Sequence, residues 1–201
     1  MPVKRGEPLS PENTRARILA VAALAFYERG VHAVGVNEIA ELAGSSKLTI
    51  YRYFESKDGL VEAVLRQRSE RIHDWLERGV EAVPPGADRV LALFDLLADW
   101  YRQAGFHGCA MVNAAADTRG DGVAVLGLTR GHLARYRVLL ERCLLEAGVA
   151  EPSAPARQLL ILIEGATVVS SIDADDTAGP DARRLAELVL ASVVPSAHDL
   201  H

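Results

Sequence analysis

Cysteine is scarce in this 201-residue chain: Cys109 and Cys143 stand far apart, with no CxxC pair and no Cys/His cluster. That excludes a zinc finger and a disulfide framework and leaves two reduced, helix-packed thiols as the expectation. No run of about 18 apolar residues occurs, so no membrane span is expected. Met1-Pro2-Val3-Lys4-Arg5-Gly6-Glu7 leads into no apolar export segment, so a cytoplasmic location is the expectation. Walker A, GxGxxG, Gly-x-Ser-x-Gly and HExxH are all missing, and with them the commonest signatures of nucleotide, hydrolase and zinc-protease chemistry. The six histidines are scattered, with His198 and His201 in the tail, and form no metal triad. Asp173-Ala174-Asp175-Asp176 lacks the spacing of an EF-hand loop and reads as a solvated acidic turn. Neither cofactor nor metal is expected, and no catalytic constellation is visible, so the chain does not read as an enzyme.

What is present is an apolar content of 49% beside 24% charged residues, enough to bury one or two cores. The net charge of −5 hides an asymmetry. Residues 1–57 carry eight Lys/Arg against six Asp/Glu, and the rest carries fourteen against twenty-one. A basic N-terminal module on an acidic body suggests that only the first meets nucleic acid.

Periodicity of three and four predicts an all-α chain of about nine helices, with no period-two alternation. Ser10-Pro11-Glu12 opens the first helix, whose stripe is Ile18, Ala22, Ala25 and Phe26, and Gly30 closes it. A short second helix spans 36–43. Gly44-Ser45 breaks the pattern, Ser46 caps a third helix over 47–54, and Ser56 caps a fourth from Lys57 to about Arg78. Pro84-Pro85-Gly86 precedes a fifth helix marked by Val90, Leu91, Phe94, Leu97 and Tyr101. A short sixth over about 109–116, a long seventh over about 122–147, an eighth over about 156–171 and a ninth over about 181–194 follow. In the eighth, Leu159-Leu160-Ile161-Leu162-Ile163 is apolar on every side, and a second subunit is the economical cover.

The second and third helices, joined through Ala43-Gly44-Ser45, have the short Gly-containing turn of a helix-turn-helix, whose second helix enters the DNA major groove. Lys47, Thr49, Tyr51, Arg52 and Tyr53 supply donors and aromatic edges, while Ile50 and Phe54, four apart, anchor the opposite face. Lys57 adds an ammonium to the free N–H groups of the fourth helix, a combination suited to phosphate. Taken singly, each of these residues is as readily a half-buried tyrosine or a solvated charge, and a Gly turn between short helices also occurs in bundles that bind no DNA. The combination favours DNA.

Ile18-Leu19 through Phe26-Tyr27-Glu28-Arg29-Gly30, Glu38-Ile39-Ala40, Ala43-Gly44 and Thr49-Ile50-Tyr51-Arg52-Tyr53-Phe54-Glu55-Ser56-Lys57-Asp58-Gly59-Leu60 closely resemble the DNA-binding domain of TetR-family transcriptional regulators. The resemblance covers about residues 13–62. It implies an N-terminal three-helix helix-turn-helix domain over 1–56 and a ligand-binding and dimerisation domain over 57–201. It implies that Lys47, Leu48, Thr49, Tyr51 and Tyr53 face the groove, that Tyr51, Tyr53 and Lys57 serve phosphates, and that Ser46 caps the helix and touches the DNA backbone. Gly108-Cys109-Ala110-Met111-Val112-Asn113-Ala114-Ala115 is similar to a segment of part of the family at the sixth helix. One departure stands out: the family commonly has a capping Thr where this chain has Gly35, which leaves Glu38 without a capping-box partner.

For the second domain the resemblance implies a pocket for a small-molecule effector and a homodimer through the eighth and ninth helices. Pocket candidates are Phe94, Trp100, Tyr101, Phe106, Met111, Asn113, Arg130 and Glu164, which combine aromatic area with polar groups. Phe94 and Trp100 also suit a core, Arg130 suits the surface, and Glu164 suits a cavity or an interface. The functional expectation is a homodimeric repressor on a pseudo-palindromic double-stranded operator, released by its effector. Two alternatives stay open: a DNA-binding protein of this architecture whose second domain engages another protein, and a small helical enzyme using the acidic C-terminal half.

Overall fold

The computed structural model describes residues 11–118, 122–173 and 176–195, and the side chains from Asn13. Ser10, Ala174, Asp175, His198 and His201, singled out in the sequence, lie outside the described residues. Among those described, nine α-helices and no strand occur: α1 Pro11–Arg29, α2 Val36–Leu42, α3 Lys47–Phe54, α4 Lys57–Glu81, α5 Ala87–Tyr101, α6 Ala110–Asp117, α7 Val123–Glu146, α8 Ser153–Asp173 and α9 Ala178–Val193. No helix is long and apolar enough to cross a membrane.

Two apolar clusters organise them. The first gathers Ile18, Ala22 and Phe26 of α1, Ile39 of α2, Ile50 and Phe54 of α3, and Leu60, Val61, Val64 and Leu65 of α4, and it extends to Met111 and Ala114 of α6. The second runs from Leu76 and Val80 of α4 through α5, α7, α8 and α9. Residue 56, the boundary read from the sequence, is the N-cap of α4. The two cores meet farther along that same helix, between Leu65 and Leu76, so α4 is shared by both as one continuous rod.

Between the cores lies a buried polar knot. On the α4 side are Ser69 and His73; on α7 are His132 and Tyr136. Ser69 Oγ and His132 Nδ1 are 2.8 Å apart, His73 Nε2 lies 3.1 Å from both Nδ1 and the carbonyl oxygen of His132, and Tyr136 stacks edge-on against each ring. Burial, and the nearby Arg135, push His73 down to about 4; burial, His73, Arg135 and Arg68 push His132 down to about 3. Both rings are therefore neutral at physiological pH, and their mutual contacts satisfy polar atoms that would otherwise be stranded.

Candidate nucleic-acid interface

The turn between α2 and α3 is closed by backbone alone. Ser45 N–H donates to the Ala40 carbonyl at 2.8 Å and Gly44 N–H to that of Glu41 at 3.0 Å, with Gly44 at φ +54°. This is a Schellman end, whose left-handed residue is cheapest as glycine. Arg17 on α1 donates from Nε to the Ala43 carbonyl at 2.6 Å, fixing the turn against the first helix. Gly35 at the start of α2 offers no side-chain cap, and Glu38 is held from elsewhere: its Oε1 accepts from Arg29 of α1 at 2.6 Å. The Glu38 carboxylate is thus engaged by an ion pair across helices.

Ser46 caps α3, its Oγ accepting from Thr49 N–H at 3.0 Å and lying 2.8 Å from Thr49 Oγ1. Ile50 is fully buried and Phe54 nearly so, and the Arg15 guanidinium covers the Phe54 ring at 5.2 Å. The opposite face is open: Lys47, Leu48, Tyr51 and Arg52 are exposed, Leu48 to 79%, while Thr49 and Tyr53 are half-buried. An apolar side chain this exposed has no packing role inside the chain. Lys47 Nζ lies 5.6 Å from the Tyr51 ring centre and the Arg52 guanidinium 5.4 Å from that of Tyr53, so both cations run alongside aromatic faces.

α3 stops because Glu55 turns to φ +65°, and Ser56 at once caps α4 by accepting from Gly59 N–H at 3.0 Å. Lys57 is the first residue of α4 and is half-buried. Its position puts an ammonium at a helix start whose N–H groups and dipole already attract anions. Ser46, Lys47, Leu48, Thr49, Tyr51, Arg52, Tyr53 and Lys57 thus all fall within one helix and the first turn of the next.

The second-domain candidates do not converge in the same way. Phe94 lies in the second core and Met111 in the first. Tyr101 is buried, its hydroxyl 2.9 Å from Thr167 Oγ1. Trp100 and Phe106 are half-buried and pack edge to face at 5.0 Å, forming one aromatic wall with Tyr101. Asn113 is exposed and donates to the His107 carbonyl at 2.7 Å. Arg130 is exposed on α7. Glu164 is half-buried on α8, where burial raises its carboxyl to about 6. Sequence reasoning missed Arg68, Arg71 and Trp75, which line one cleft with Trp100. Their spacing of three and four along α4 was the available signal.

On the far side of α8 and α9 an apolar face is left uncovered within the chain. Leu159 and Ile163 are buried, but Ile161 is 64%, Ile172 75% and Leu188 67% exposed, with Val168, Val169 and Leu185 also open.

Comparison with known proteins adds the following. The model of the family "Bacterial regulatory proteins, tetR family" matches residues 18–64. The transcriptional activator FasR of Mycolicibacterium smegmatis is 31% identical over 97 residues, 48% of this chain and 44% of that protein. The regulator TtgR of Pseudomonas putida is 44% identical over 71 residues, 35% and 33% of the two chains. The aligned part thus spans less than half the length of these curated relatives. The crystal structure of a TetR-family transcriptional regulator from Streptomyces coelicolor superposes with a TM-score of 0.84 at 29% identity, over 90% of this chain and 96% of that one.

Proposed function

The chain belongs to the TetR family of bacterial transcriptional regulators, and from that premise we propose that it is a homodimeric repressor of sequence-specific DNA, released by a small-molecule effector. Residues 1–56 form the DNA-binding part and 57–201 the effector-binding and dimerisation part. The observation that carries the reading is the open face of α3: two cations, a tyrosine and a bare leucine stand out from a helix whose other side is fully packed.

In a two-fold pair, each α3 enters a major groove, with half-site centres roughly 34–36 Å apart or an adjusted version of that spacing. Lys47 and Thr49 read base edges, Leu48 meets a thymine methyl, and Tyr51, Tyr53 and Lys57 hold phosphates. The uncovered face of α8 and α9 supports pairing there, since a patch of this kind on a monomer marks an interaction surface. An effector bound in the second domain shifts the spacing of the two α3 helices. It can release DNA only by as much as it prefers the non-binding dimer, about 1–3 kcal/mol for typical coupling.

The test is footprinting and gel shift of the whole protein on genomic DNA. Retardation should weaken steeply with salt, Lys57→Ala should weaken all sequences alike, and Lys47→Ala or Thr49→Ala should change base preference. Absence of retardation on any duplex at low salt would rule the reading out.

A further inference from the structure

We infer that the cleft between α4 and the end of α5 binds a molecule with an aromatic body and a carboxylate, the carboxylate held by Arg68 and Arg71 and the body lying against Trp75 and Trp100. This rests on the reading of the second domain as effector-binding and names the chemistry of the effector.

The cleft is an open groove of about 350 Å³, and Ile72 and Gln103 complete its lining. Arg68, Arg71, Ile72 and Trp75 follow at helical spacing along one face of α4, so the cations and the apolar surface are fixed relative to each other by a single rigid element. Trp75 and Trp100 meet edge to face at 6.4 Å, and Phe106 backs Trp100. These rings give a flat ligand a preformed wall at little cost in side-chain freedom.

Arg68 Nε is buried and has no hydrogen-bond partner among the described residues. Its ionisable neighbours are Tyr27, which also hydrogen-bonds its side chain, Cys109, Arg71 and His132, none of them a carboxylate, and burial lowers the guanidinium from its ordinary value. The ring of Tyr27, 3.8 Å from the Arg68 Cζ, offers a π face but no counter-charge. On its other side Arg68 borders a smaller cavity of about 100 Å³ that Asp117 also lines, its Oδ2 accepting the His32 N–H at 3.0 Å. Neither Arg68 nor Arg71 belongs to any of the ion pairs formed among the described residues. A half-buried guanidinium beside a second one, neither of them in an ion pair among the described residues, is a site whose charge an incoming carboxylate balances. Arginine's planar fork suits that group and stacks on aromatic faces as well.

The sequence contains two tryptophans, and both line this cleft, so their two indole N–H signals report on it without added labels. The full chain, without DNA, is titrated with 2-naphthoate, with the uncharged 2-naphthalenemethanol and with acetate. Binding is followed by calorimetry and by those two NMR signals. Naphthoate should bind with a dissociation constant below about 1 mM, roughly tenfold or more tighter than the alcohol or acetate, and should shift both signals. Arg71→Gln, at an exposed position, should fold normally and weaken naphthoate roughly tenfold, with alcohol binding unchanged. Arg68→Gln should do the same, its folding checked by thermal melting. Equal binding of naphthoate and the alcohol, no binding of naphthoate, or an Arg71→Gln protein that binds naphthoate normally would each overturn the proposal. Naphthoate that binds the cleft but leaves an operator complex intact would uphold the site and count against release by effector, so the two readings fail separately.

Discussion

A methyl group on Gly59 would stand 2.1 Å from the Phe54 carbonyl oxygen, a backbone atom that cannot step aside. Gly59→Ala should therefore push α4 away from the end of α3, costing about 1–3 kcal/mol in urea unfolding and weakening DNA binding with it. Burial of ionisable groups acts at the same scale. His73 and His132, lowered to about 4 and about 3 from 6.5, take protons in the unfolded chain before the folded one. Their contribution to stability is complete above about pH 6.5 and is lost as pH falls from there to about 4 for His73 and about 3 for His132. Glu164 works in the opposite direction: with its carboxyl raised to about 6 from 4.5, the folded chain is protonated first and gains as pH falls through that range. Two histidines outweigh one carboxyl, so urea midpoints should drop between pH 6.5 and 4.5, and Glu164→Gln should make the drop steeper. Some of this was legible in the residues. Glu38 without its capping Thr could be read directly, whereas its pairing with Arg29 needed the crossing of α1 and α2. Glu55 at positive φ carried no signal, since a left-handed glutamate looks like any other in sequence.

At the scale of helices, α3 was the most readable part, because cap, packed pair and exposed face all lie within nine consecutive residues. Ser46→Ala removes the acceptor of the Thr49 N–H and should cost about 1 kcal/mol in stability, with a parallel loss of affinity for DNA. Ends set by tertiary packing were less readable. α8 starts at Ser153, ahead of the expected 156, because Pro155 in a first turn removes an N–H that has no helical partner anyway. α9 starts at Ala178, ahead of the expected 181, where Gly179 packs against α5: a Cβ there would meet that of Ala98 at 2.6 Å. The pocket candidates were chosen by segment, and segment alone does not say which side of a helix faces a cavity. Phe94 and Met111 lie in cores and Arg130 is exposed, while Trp100 lines the cleft together with Arg68, Arg71 and Trp75 of α4.

Over the whole molecule, the apolar stripe of α8 is covered on one side by its own chain and open on the other, with Ile161 and Ile172 exposed beside Leu188 of α9. If a second copy covers it, Ile161→Glu with Leu188→Glu should convert a dimer to a monomer by light scattering. It should also cost roughly a hundredfold or more in operator affinity, through loss of simultaneous engagement rather than of any DNA contact. The nine-helix architecture was visible in periodicity alone, but the apolar face left open on α8 and α9 was visible only as the excess apolarity of five residues of α8. The central claim is that two copies of α3 read a duplex together, and selection of binding sites from random double-stranded DNA by the purified protein tests it most directly. The account predicts enrichment of an inverted repeat whose half-sites lie about one helical turn apart or at an adjusted spacing, and a change in the preferred bases with Lys47→Ala. Enrichment of no sequence, or of an unrepeated one that Lys47→Ala leaves unchanged, would contradict it.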